Sequence, residues 1–106
     1  MHLNEYQRKS RDFAVYPSDS ALEYVALGLT GEAGEIANKI KKTVRDGLAD
    51  HEIRDDIAAE LGDVMWYIAA MATELDLDLD VIAQTNLMKL ESRRARGVIG
   101  GSGDDR

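Results

Sequence analysis

Residues 22–44, LEYVALGLTGEAGEIANKIKKTV, decide the fold. Apolar side chains fall at Leu22, Val25, Ala26, Leu29, Ala33, Ile36, Ala37, Ile40 and Val44. Steps of three, four and one recurring in this way trace one face of a long α-helix. Ser18, Asp19 or Ser20, after Pro17, is predicted to cap its start. Asp46-Gly47 is predicted to end it, since glycine suits a left-handed C-terminal cap. The same pattern returns in Ile53, Ile57, Leu61, Val64, Ile68, Met71, Ala72 and Leu75. Outward from this pair, Tyr6 and Phe13 mark a shorter helix from about Asn4 to Ala14. An acidic break over 76–80, where Asp78 or Asp80 can cap, precedes a fourth helix running to about Arg94. No stretch alternates as a strand does. The expected fold is all-α, a four-helix bundle-like single domain spanning 1–106, whose residues 97–106 form a Gly-rich C-terminal tail that is either flexible or a lid.

Composition narrows the class. The 106 residues are 44% hydrophobic and 31% charged, as in ordinary globular domains. Without cysteine there can be neither disulfides nor thiolate metal ligands. A formal net charge of −7 opposes stable nucleic-acid binding, which feeds on cationic surface. No apolar run reaches membrane-spanning length and the N-terminus lacks a signal-peptide core. A cytoplasmic protein is expected.

Two short acidic pairs carry the chemistry. Glu32 and Glu35, then Glu60 and Asp63, each stand three residues apart within a helical stretch. Residues at that spacing project from nearly one face, so two facing helices would gather four carboxylates at one point. Glu32 lies three after Leu29 and four before Ile36, on the border of the apolar stripe; Glu60 repeats the placement between Ile57 and Val64. Carboxylates aimed toward a core are costly unless paired or metal-bound. The all-oxygen set favours Mg²⁺, Mn²⁺ or Ca²⁺ over zinc or copper. Solvated helix faces are the bland alternative. A ferritin-like di-iron site fails, because neither His2 nor His51 follows a glutamate by three. An EF-hand over Asp76-Leu77-Asp78-Leu79-Asp80 also fails, since Val81 stands where glycine is required. Gly28, Gly31, Gly34 and Gly62 within these helices each cost roughly 1 kcal/mol relative to alanine, which predicts close approach of neighbouring backbone or a packing role.

Gly31-Glu32-Ala33-Gly34-Glu35, followed by Glu60-Leu61-Gly62-Asp63, resembles the ExxE…ExxD signature of the MazG-like nucleoside triphosphate pyrophosphohydrolases, of the all-α NTP pyrophosphatase superfamily. The likeness extends to Asn4-Glu5-Tyr6-Gln7 and to Asn86-Leu87-Met88-Lys89-Leu90 with the glycine-rich end. It implies Mg²⁺-dependent hydrolysis of a (d)NTP to monophosphate and pyrophosphate, for nucleotide-pool control or housecleaning, with a purine (dGTP or GTP) the first substrate to try. It also implies two or more ions held by Glu32, Glu35, Glu60 and Asp63, and a homodimer or homotetramer. Glu32 and Glu35 are the first candidates for the general base. Asn86, Lys89, Arg93 and Arg96, spaced three, four and three, become candidate phosphate ligands; otherwise they read as a basic helix end favourable to the macrodipole. Lys39 reads first as an i,i+4 partner of Glu35 and second as a phosphate contact. Gln7, Asn38 and Trp66 are candidate base contacts. The competing reading is a non-catalytic helical oligomerisation module.

Overall fold

The computed structural model describes residues 1–106 and contains four α-helices: α1 (Leu3–Ser10), α2 (Ala21–Asp46), α3 (Asp50–Glu74) and α4 (Leu79–Ala95). No strand is formed. Helices α2 and α3 make a long antiparallel hairpin, closed by Gly47 at φ 70°, as the glycine cap required. α1 crosses α3 and the start of α4. Val25 and Ala69 are fully buried, with Ala70, Ala72 and Leu79 close behind.

Two boundaries differ from expectation. α1 gives way at Ser10 to a 3₁₀ turn over Arg11–Phe13, and Ala14 is extended. The Ser10 hydroxyl donates to the Gln7 carbonyl at 2.9 Å, a local bond that competes with helix propagation. Ser18–Ser20 form a second 3₁₀ turn leading into α2, and Ser20 makes no side-chain cap bond. The backbone's tight lead-in turn replaces the predicted cap.

The joint between α3 and α4 follows the sequence reading more closely. Asp76 takes a left-handed φ of 55°, which aspartate tolerates better than most residues. Asp78 caps α4, its Oδ1 accepting from Val81 N at 3.1 Å. α1 supplies the other caps: Asn4 Oδ1 accepts from Asp80 N and Gln7 Oε1 from Leu79 N, both at 2.9 Å. The amides that a helix start leaves unpaired are thus satisfied from a neighbouring helix.

Among the helix glycines, only Gly28 has a close neighbour. A Cβ there would lie within the Tyr67 ring, whereas Gly31, Gly34 and Gly62 face open space. The close contact is with an aromatic side chain rather than with backbone.

Candidate functional site

Glu32 on α2 and Glu60 and Asp63 on α3 each present a carboxylate oxygen within 4.8 Å of the others. The register of the α2–α3 hairpin does this, placing the two apolar-border positions, Glu32 and Glu60, opposite each other. Glu32 and Glu60 are half-buried; Asp63 is exposed. Glu35 lies one turn along α2, exposed and outside this trio, and bears on it through its field. Lys39 Nζ reaches across the hairpin to Glu60 Oε1 at 2.9 Å, in place of the expected intrahelical pairing with Glu35.

The two glutamates are pushed in opposite directions. Desolvation, then repulsion from Asp63 and contact with Glu60, raise the Glu32 carboxyl above its ordinary value. The Lys39 ammonium holds Glu60 below its own. The two neighbouring carboxyls thus differ in proton affinity, Glu32 binding a proton more readily than Glu60.

The donor set fits a hard divalent cation. Two oxygens sharing one Mg²⁺ stand at most about 4.2 Å apart, twice a bond of about 2.1 Å. A spread of no more than 4.8 Å needs only a small contraction of the three side chains. Glu32, Glu60 and Asp63 are the residues that would hold it.

Beside the carboxylates lies an aromatic pocket of about 300 Å³, lined by Phe13, Val15, Tyr16, Tyr24, Trp66 and Tyr67 together with Glu32 and Asp63. Tyr16 stacks on Tyr24 (centroids 5.4 Å apart, planes 18° apart), and Trp66 meets both Tyr16 and Tyr67 edge-on. Trp66 Nε1 donates to the Ser10 carbonyl at 3.2 Å, tying α3 to α1. The tyrosines were not among the sequence candidates, although a signal existed. Tyr24, Gly28 and Glu32 recur every four residues, as do Asp63 and Tyr67, so rings and acids share a face.

The other candidates sit elsewhere. Gln7 spends its side chain on Leu79 N, Thr73 Oγ1 and the Leu77 carbonyl, clamping α1 to the α3–α4 joint. Asn38 is half-buried on α2 and does not line the aromatic pocket. Asn86 is exposed on α4. Lys89 Nζ (2.8 Å) and Arg93 Nη2 (3.0 Å) both donate to Asp104 Oδ1. Arg96 donates to Ser92 Oγ and to the Arg106 carbonyl. Arg93 is only 5% exposed and its Nε has no partner. Residues 97–106 therefore dock along α4 rather than over the carboxylates, and Arg106 pins them through the carbonyls of Val98, Ile99 and Gly103.

A family model described as the MazG nucleotide pyrophosphohydrolase domain matches residues 21–98, a span that holds the carboxylate trio. The chain is 54% identical over 114 aligned positions to the Gene 37 protein of Mycobacterium phage L5, covering the whole of both. No solved structure matches it. No helix is long and apolar enough to cross a membrane.

Proposed function

The chain belongs to the MazG nucleotide pyrophosphohydrolase family, and on that premise we propose that it cleaves a (deoxy)nucleoside triphosphate between the α- and β-phosphates, giving the nucleoside monophosphate and pyrophosphate. One observation carries the reading: Glu32 and Asp63 belong at once to the carboxylate trio and to the wall of the aromatic pocket. A nucleotide whose base enters that pocket has its phosphates directed at the carboxylates. Aromatic faces accept any base by stacking, while few polar groups in the lining select among bases.

When bound by Glu32, Glu60 and Asp63, with Glu35 as a further ligand, Mg²⁺ supplies charge neutralisation and Lewis acidity toward the phosphate oxygens. The residues supply the rest. Glu32, ionised before the reaction and with its proton affinity raised by its surroundings, takes the proton of the attacking water as the bond between the phosphates breaks. Lys39 keeps Glu60 ionised and oriented. Lys89 and Arg93 are assigned to phosphate, with Asp104 yielding its place to a phosphate oxygen. Asn86 and Arg96 extend that face.

We assign the working form to a homo-oligomer. α4 packs on α1 but leaves Val81, Ile82, Leu87 and Met88 exposed, and the hairpin leaves Leu27, Ile40, Val44 and Leu61 exposed. A second copy covering these faces is also the means by which the basic face of α4 would reach a carboxylate site. A purely structural oligomerisation module would account for the apolar faces but not for Glu32 and Glu60 converging at their border.

The test is a panel of canonical and modified (d)NTPs with Mg²⁺, analysed by chromatography. The proposal expects equimolar monophosphate and pyrophosphate from at least one nucleotide, dGTP and GTP being tried first, and none in chelator. Orthophosphate release, or no turnover across the panel, contradicts it.

A further inference from the structure

Tyr16 forms one wall of the aromatic pocket, yet what holds it lies outside. Its hydroxyl donates to Glu74 Oε1 at 2.6 Å and accepts from the Arg11 guanidinium. Arg11 closes the triangle by donating to the same Oε1 at 2.8 Å. Its guanidinium carbon also sits 5.6 Å from the Tyr16 ring centroid, within cation–π range. The three residues come from the 3₁₀ turn after α1, the connection before α2 and the last residue of α3. Neither Arg11 nor Glu74 lines the pocket.

Apart from the contacts of the Tyr16 ring with Tyr24 and Trp66, the connection has little else to order it. Val15 and Tyr16 lie outside every helix and every backbone hydrogen bond between elements, and Val15 is 94% exposed. A hydroxyl has one proton, and that of Tyr16 is committed to Glu74. Tyr16 therefore gives the pocket an aromatic ring, stacked on Tyr24, and no free donor.

We propose that Glu74 and Arg11 are positioning residues for the base subsite: by clasping the Tyr16 hydroxyl they set the aromatic wall, and with it nucleotide affinity and selectivity among bases, without touching substrate. The inference rests on the nucleotide reading above, and its test is separable from that reading. Trp66 is the sole tryptophan and lines the pocket, so its fluorescence reports occupancy directly.

The experiment titrates four nucleoside monophosphates, which cannot release pyrophosphate, into the full chain with Mg²⁺ present. Glu74→Ala and Tyr16→Phe are each expected to raise Kd by about five- to tenfold and to level the differences among bases. The double variant should be no worse than either single, because each removes the same hydrogen-bonded unit. Glu74→Gln, which can still accept from Tyr16, should fall between wild type and Glu74→Ala. Where Glu74→Ala fails to fold, Tyr16→Phe carries the test, since it keeps the ring. A lowered Tm with Kd values and base ratios unchanged overturns the proposal, as does wild-type Trp66 emission indifferent to every nucleotide. Quenching that shifts as described supports the clasp even in a protein that releases no pyrophosphate, so the two readings fail separately.

Discussion

Glu32 and Glu60 show how neighbouring residues of one charge type are given different work. Glu32 holds its proton above the ordinary carboxyl value of 4.5, chiefly through desolvation and Asp63, so the folded chain binds that proton more tightly than the unfolded chain does. Linkage then fixes the sign: this group's contribution to stability falls as pH rises through 4.5 toward its raised folded value. Glu60, lowered by Lys39, contributes stability above 4.5 that is lost as pH falls. Melting curves in chelator between pH 4 and 8 should show Glu32→Gln gaining on wild type as pH increases, with Mg²⁺ narrowing the gap; a pH-independent difference would refute this. On turnover, Glu32→Gln should lower kcat by about 10²–10⁴-fold. Gly28 offers a purely steric test. Gly28→Ala drives a methyl into the Tyr67 ring, and overpacking of that kind costs about 1–3 kcal/mol, measurable by urea denaturation.

Between elements, α1 acts as a clamp. Gln7 serves three partners across the α3–α4 joint, and Leu79, whose amide it accepts from, is buried. Gln7→Ala should therefore cost about 1–3 kcal/mol, the penalty of a stranded buried amide, and speed hydrogen exchange at the start of α4. Unchanged exchange there would show that α1 is not what seats α4. This clamp was invisible in the sequence, because nothing in Asn4-Glu5-Tyr6-Gln7 says which distant backbone two amide side chains will meet. The long helices were legible for the opposite reason: their apolar period, the Gly47 cap and the Asp78 cap are local signals. Glu32 and Glu60 were legible too, since their trespass on the apolar border is a local pattern repeated on two adjacent helices, and Asp63 was legible as the residue three after Glu60. The aromatic pocket was not, because Phe13, Val15 and Tyr16 reach it through an irregular connection with no period. The docking of residues 97–106 on α4 was not legible either, because nothing in the tail's sequence says that Asp104 will meet Lys89 and Arg93.

The whole chain is more open than its length warrants. A compact domain of this size has a radius of gyration of about 13 Å; here it is 16.7 Å. Only 8 of 106 residues are buried, while Val44 is 80% and Leu61 55% exposed. The homo-oligomer proposed above would supply the missing burial, and it predicts a sedimentation mass of two or four chains and a Tm that rises with protein concentration. A monomer with a concentration-independent Tm would contradict it. The account turns on a cation gathered by facing helices, and Mn²⁺ titration by calorimetry tests that most directly. Wild type should bind Mn²⁺ with a saturable isotherm that collapses in both Glu60→Gln and Asp63→Asn, each still folded by circular dichroism. Isotherms indistinguishable among the three proteins would contradict the account.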